Sequence, residues 1–424
     1  MGDTATDGEE APTVTPAELA GRLRRSELVT ILDVRDRDEF ERWHIEGPTV
    51  EAVQIPHVRF IQASVTGGVA DLVADLQEPI IVVCGHGEAS GDVAAQLDEV
   101  GVDAANLAGG MDAWARHYET FELGTGGAGT EHDAIEQLPA TVLQYDRVAS
   151  GCLSYLVIAG EEAAVVDPLS AFADRYVDDA HEHGADLKYA IDTHVHADHV
   201  SGVREVTAAT GAQSVIPAGA VDRGLQFDAR LVEDRESLSL GSVALIARGL
   251  PGHTSEMTGF GLVAGDTGDG DRSDRAPLWV TGDTVFPDAV ARPDLEAEAA
   301  EGDDGDGQAG DDSAENAAKV RSYARQLYQT IQDRLLTLPD ETVLAPGHRQ
   351  QHRQGPTVVT VGNLRERLDV LTLPADAFVE RIVSGMGSQP ANFGRIVAAN
   401  LGRESLTDEA AFEVELGPNN CAVE

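Results

Sequence analysis

Two α/β units in tandem are what the sequence predicts, and three observations carry the prediction. Apolar strands alternate with amphipathic helical segments over about residues 13–118, a glycine-rich break follows at Gly124–Thr130, and a second strand and helix alternation begins near Leu138. In chain order, Pro16–Arg25 has helical apolar spacing, and Val29–Val34 is a continuous apolar run of buried-strand length. Pro79–Val83 reads as a second buried parallel strand and Ala89–Val100 as the helix after it. The segment Gly-Thr-Gly-Gly-Ala-Gly-Thr has no side chain able to anchor a core, so the domain boundary falls there. Beyond it, Leu153–Ala159 and Glu162–Val166 read as paired strands, with a helix near Ala171–His183. Further helices are expected at Arg321–Leu338, Ala375–Ser384 and Pro390–Asn400. Gly265–Pro277 and Glu296–Ser313 are crowded with Asp, Glu and Gly and lack periodicity, so they read as solvated loop insertions. The resulting division is an acidic tail over 1–12, a first unit over 13–118, a linker over 119–137 and a second unit over 138–424.

Composition narrows the function classes. At 424 residues the chain is long enough for two or three cores, and 42% apolar residues are enough to fill them. Lys and Arg number 30 against 74 Asp and Glu, a net charge of −44 that repels phosphate backbones and anionic lipid surfaces. Nucleic acid and membranes are therefore not expected partners. Only Lys188 and Lys319 among the cations are lysine, and the acidity runs along the whole chain, as in a halophilic protein adapted to a salt-rich interior. Cys84, Cys152 and Cys421 are too few and too dispersed for a disulfide framework, which indicates a reducing compartment. No apolar run reaches the length of a membrane span, and a cytoplasmic location is expected.

Cys84 ends an apolar strand and is followed by Gly85-His86-Gly87-Glu88-Ala89-Ser90 at the start of a helical segment. Loop amides and a helix N-terminus around a thiol can lower its pKa and hold an anion, so Cys84 is a candidate nucleophile; the competing reading is a small core residue. Asp33-Val34-Arg35, Glu39-Phe40, His44-Ile45-Glu46-Gly47, Ile55-Pro56 and Leu107-Ala108-Gly109-Gly110-Met111-Asp112-Ala113-Trp114 surround it. Together these resemble the rhodanese domain, which implies that Cys84 carries sulfane sulfur as a persulfide. The family's active loop usually has arginine where this chain has Ala89, so a module that only docks or delivers a substrate stays open.

The densest chemical signal is Thr193-His194-Val195-His196-Ala197-Asp198-His199. In an extended segment His194 and His196 project to one side, and Asp198 and His199 follow at the turn, which gathers four groups of metal-ligand type in a small volume. Three glycine turns downstream each present one more donor: Gly252-His253, Gly282-Asp283 and Gly347-His348, with His352 a weaker substitute for the last. In this order the motifs resemble the metallo-β-lactamase fold, so the implied architecture is a rhodanese-like α/β domain followed by an αββα sandwich. Two metal chemistries are open. Two zinc ions, one on His194, His196 and His253 and one on Asp198, His199 and His348 with Asp283 between them, would suit hydrolysis, as in glyoxalase II thioesterases. One Fe(II) on His194, His253 and Asp283 forms a two-histidine, one-carboxylate triad with open positions for substrate and O₂, the other donors standing behind it.

Several further stretches resemble the persulfide dioxygenase branch of that fold: Gly151-Cys152-Leu153-Ser154-Tyr155-Leu156, Val166-Asp167-Pro168-Leu169, Gly282-Asp283-Thr284-Val285-Phe286, Arg292-Pro293-Asp294-Leu295 and Pro390–Asn400. The resemblance implies oxidation of a low-molecular-weight thiol persulfide to sulfite on one iron per chain. It also implies exchange of sulfite or thiosulfate at the rhodanese module, and Arg292 as the arginine that holds a substrate carboxylate. A salt bridge to Asp294 is the competing reading of Arg292, and Cys152 reads as a buried strand residue. A homodimer is left open as the assembly.

Overall fold

The computed structural model describes residues 12–124, 133–265, 275–299, 312–349, 357–417 and 421–423. The chain folds as two compact units, one essentially 1–118 and the other essentially 119–424. The first is built on a five-stranded sheet in the spatial order Thr13–Val14, Ala104–Leu107, Ile80–Val83, Val29–Asp33, Val50–Gln54. All of its strand pairs are parallel. Its central strands are buried on both faces, as the apolar runs require, with Phe60, Val93 and Leu97 among the side chains on one side and Leu19, Met111 and Trp114 on the other. Pro16–Arg24 starts in a reciprocal cap between Thr15 and Glu18, which satisfies two otherwise unpaired amides.

The second unit holds two large sheets and a small three-stranded one. One has seven strands, in which Asp186–Ile191 lies parallel between Glu162–Val166 and Gln213–Pro217. The other has six, in which Val243–Gly249, Thr258–Ala264 and Leu278–Gly282 run antiparallel in turn and Val343–Pro346 lies parallel to the last. A single apolar cluster joins the inner faces, including Leu153, Tyr155 and Val157 from one sheet and Phe260, Leu262 and Val280 from the other. Helices cover the outer faces. Tyr176 of Ala173–Glu182 packs edge-on against Tyr145, and Leu327 and Ile331 pack with Trp279. Among the described residues no helix is long and apolar enough to cross a membrane.

The structure departs from sequence expectation at three places. The long helix begins at Asp312, well before Arg321, because Glu315 suits its N-terminal end and Ala314, Ala317 and Ala318 favour helix; it passes into a π-turn over Ile331–Leu335. Within the acidic segment read as loop, Leu295–Ala299 is a short helix, while 300–311 lie outside the described residues, as do 266–274 of the other insertion. Residues 119–137, read as linker, contribute the strand Tyr118–Glu122 and the turn of helix Asp133–Glu136 at their two ends; 125–132 lie outside the described residues.

One late helix matters for the histidine motif. Phe393–Asn400 delivers Asn400, whose Nδ2 donates to the carbonyls of His196 (3.0 Å) and His199 (2.8 Å) while its Oδ1 accepts from the Ser201 amide (2.9 Å). Asn400→Ala would leave these buried groups unmatched, at a cost of about 3 kcal/mol. A lower urea midpoint with an unchanged denaturant slope is the expected outcome, measured by circular dichroism.

Candidate metal centre

Every motif signalled by the sequence emerges from the carboxyl end of a strand. Asp186–Ile191 runs out into Asp192, Thr193 and then His194; Val243–Gly249 leads to His253; Leu278–Gly282 leads to Asp283; Val343–Pro346 leads to His348. The last three strands point the same way in their sheet, so their ends share one edge. The glycines of the motifs allow the close approach. A Cβ on Gly347 would stand 2.5 Å from Asp283 Oδ1, and one on Gly282, whose φ is +49°, would stand 2.5 Å from Thr193 Oγ1.

His194, His253 and Asp283 come together with their ligand atoms within 4.8 Å of one another. Asp283 Oδ2 lies 4.0 Å from His194 Nε2 and 3.8 Å from His253 Nε2, and all three atoms are buried with no hydrogen-bond partner among the described residues. Three unmatched donors converging in an apolar interior are what a bound cation would resolve. The tautomers agree with that reading. His253 Nδ1 donates to the Arg292 carbonyl at 2.7 Å, which leaves Nε2 as the lone-pair nitrogen. Thr193 Oγ1 donates to Asp167 Oδ2 and so accepts from His194 Nδ1, with the same consequence for His194 Nε2. Burial, with His196 and His253 beside it, holds His194 well below its ordinary pKa, in the neutral form that coordinates.

The remaining histidines of the motif are arranged differently. His196 Nε2 donates to Asp167 Oδ1 at 3.1 Å, and its Nδ1 is buried without a partner among the described residues. His348 lies between two carboxylates, with Nδ1 2.6 Å from Asp283 Oδ1 and Nε2 2.5 Å from Asp198 Oδ2. Burial opposes charge on its ring, but Asp283 and Asp198 outweigh it and raise His348 well above its usual pKa. Conversely, burial would push Asp283 up, and His348 and His253 hold it below the usual carboxylate range. His199 Nδ1 is 3.3 Å from Asp198 Oδ2. Residue 352 lies outside the described residues.

Arg292 is buried, and the carboxylate it holds is the protein's own. Nε and Nη2 bind Asp294 at 2.7 and 2.8 Å, and Nη1 and Nη2 donate to the carbonyls of Ser388 and Gly387. Two cysteines also reach the centre. Cys152 Sγ is 3.3 Å from Asp198 Oδ2, and Cys421 groups with Asp283 and His348 because the strand Ala422–Val423 pairs with Ala289–Ala291. Neither placement has a local signal in the sequence; both follow from pairing between distant segments. In the first unit, Cys84 Sγ accepts from the Gly87 amide and the Ser90 hydroxyl, each at 3.1 Å, at the start of helix Glu88–Glu99. Gly110 permits this loop, since a Cβ there would collide with the Cys84 carbonyl.

Residues 15–117 match the family described as "Rhodanese-like domain", and residues 147–348 match the "Metallo-beta-lactamase superfamily". The chain joins a rhodanese-like domain to a metallo-β-lactamase domain. The Homo sapiens protein "Persulfide dioxygenase ETHE1, mitochondrial" is 29% identical over 241 residues, 57% of this chain and 78% of that one. A hydroxyacylglutathione hydrolase of Methylococcus capsulatus is 31% identical over 210 residues, 49% of this chain and 66% of its own length. Among solved structures, a metallo-β-lactamase of Staphylococcus aureus superposes with a TM-score of 0.50 at 21% identity, covering 63% of this chain and 74% of that one; this likeness concerns the fold.

Asp283→Asn keeps the shape of the centre and removes its charge. The expected outcome is a metal affinity at least tenfold weaker, with folding intact, measured by metal content after dialysis alongside circular dichroism.

Proposed function

We propose that the chain is an iron-dependent persulfide dioxygenase with a sulfur-transferring rhodanese module. The observation that carries this reading is the triad: two imidazole nitrogens and one carboxylate oxygen, buried and unmatched, and offering fewer donors than a closed site needs. The similarity to a protein named as a persulfide dioxygenase supports it over most of that protein's length. His194, His253 and Asp283 would hold the ion. Bound Fe(II) supplies a redox centre at which a persulfide sulfur and O₂ can meet. In the net reaction the terminal sulfur of RSSH becomes sulfite, O₂ and one water supply its oxygens, and RSH and two protons leave.

The protein's own residues set the conditions for this. Thr193 with Asp167, and the Arg292 carbonyl, fix the ring orientation of His194 and His253. Asp283 stays ionised because His348 and His253 stand beside it. The donors are all buried, which strengthens their electrostatic hold on a cation. Arg292 acts here through its carbonyl on His253, with its guanidinium neutralised by Asp294. In the rhodanese module, the Gly87 amide and Ser90 hydroxyl are placed to stabilise a thiolate or persulfide on Cys84. Thiosulfate and sulfite are the partners proposed for that sulfur. One iron per chain is the cofactor proposed, and a cytoplasmic, halophilic setting accords with the acidic, lysine-poor composition.

The second reading, a two-zinc thioester hydrolase, draws on the hydroxyacylglutathione hydrolase relative and on the presence of Asp198, His199 and His348. Anaerobic reconstitution with Fe(II), followed by O₂ uptake on a thiol persulfide, tests the first reading. The expected outcome is stoichiometric uptake with sulfite formed; no uptake, with thioester hydrolysis by a two-zinc form, would establish the second. Cys84→Ser is expected to abolish sulfane-sulfur transfer from thiosulfate while O₂ uptake on an added persulfide continues, measured in parallel on the same preparation.

A further inference from the structure

We propose that Glu256, held by Arg223, is a positioning residue that fixes His194 and His253 relative to each other at the metal centre. This role rests on the proposed reading of His194, His253 and Asp283 as donors to one cation. The two histidines come from different sheets. His194 follows the strand Asp186–Ile191 of the seven-stranded sheet, and His253 lies between Val243–Gly249 and Thr258–Ala264 of the six-stranded one. Their rings stand nearly perpendicular, with centroids 5.2 Å apart. Neither sheet alone determines that separation.

Glu256 spans it. Three residues beyond His253, its Oε1 accepts from the Val195 amide at 2.9 Å, in the segment between His194 and His196. A parallel link, from the Thr258 amide to the Thr193 carbonyl at 2.8 Å, is made by backbone alone. A carboxylate buried this deeply is costly unless paired, and Arg223 Nη1 donates to the same Oε1 at 2.5 Å, with the two side chains 8% and 0% exposed. Salt screens such a pair far less than a surface one. Ser255 is pinned from the other side by Glu296, which accepts from its amide at 2.5 Å and its hydroxyl at 2.8 Å. Arg223 is anchored in turn. Its carbonyl accepts from Arg403 Nη2, and the Gln226 amide donates to the Leu401 carbonyl at 2.8 Å, at the end of the helix that carries Asn400. The helix that braces His196 and His199 therefore also steadies the loop behind Glu256. With Oε1 occupied by two donors, Glu256 acts through Val195 on the ligand geometry, as groups behind metal ligands commonly do.

The full-length protein is stripped of metal and titrated with cobalt(II), which reports on His194, His253 and Asp283 under either the iron or the zinc reading. Glu256→Gln keeps an oxygen for the Val195 amide and Glu256→Ala removes it. Both strip Arg223 of its counter-charge, so the difference between them reads the amide contact. Glu256→Ala is expected to bind cobalt at least about tenfold more weakly, with altered visible ligand-field bands, while Glu256→Gln stays within about threefold of the unaltered protein and keeps its bands. Equal behaviour of the two variants, or affinity and bands unchanged in Glu256→Ala, overturns the proposal. Should Glu256→Ala not fold, Gly219→Ala decides, because a Cβ there would stand 2.8 Å from Glu256 Cβ and displace the carboxylate without altering any polar group. Altered bands in Gly219→Ala support the role, and unchanged bands overturn it. Failure of the dioxygenase reading shows separately, as no O₂ uptake on a thiol persulfide by the unaltered protein loaded with Fe(II).

Discussion

Asp283 is the constraint around which the second unit is organised. A carboxylate buried without compensation would cost several kcal/mol. Here its two oxygens are divided between neighbours: Oδ1 holds an imidazole of raised pKa, and Oδ2 faces two imidazole nitrogens that have no other partner among the described residues. That division is available only because parallel strands carry Asp283 and His348 to the same sheet edge, and because Gly347 has no side chain to fill the space beside Asp283 Oδ1. The sandwich core beneath serves the same end, holding the strand ends in fixed relation while the loops above them carry the chemistry.

Under the proposed function the two units handle sulfur in different oxidation states. A rhodanese loop suits transfer of sulfane sulfur without net redox change, and its two donors to Cys84 Sγ are neutral, so they can serve either a thiolate or a persulfide anion. The metal centre, read as one iron on the buried triad, suits oxidation. Joining them in one polypeptide fixes their ratio at one to one, a useful property when the product of one chemistry is a partner for the other.

Much of this was legible in the sequence, and the reasons are local. His194, His196, Asp198 and His199 lie on one short segment, where side-chain alternation alone brings donors together. Strands such as Val29–Asp33 and Cys152–Ala159 announce themselves because burial on both faces demands unbroken apolar runs. What was hidden depends on distant segments. Asn400 braces the histidine loop from roughly two hundred residues away, and nothing near it in sequence names its targets. The capture of Arg292 by Asp294 stood beside the substrate-binding alternative at the sequence level, since both readings need the same two residues. The helix from Asp312 was obscured because its first turns share the acidic composition of the preceding insertion.

The brace from Asn400 has a bearing on biosynthesis. The histidine loop leaves the ribosome long before the residue that clamps its carbonyls, and Asp283 and His348 also trail it. A nascent chain therefore carries the histidine segment before its clamp and the remaining candidate donors have been made. The set of candidate donors and its clamp is therefore complete only in the finished polypeptide.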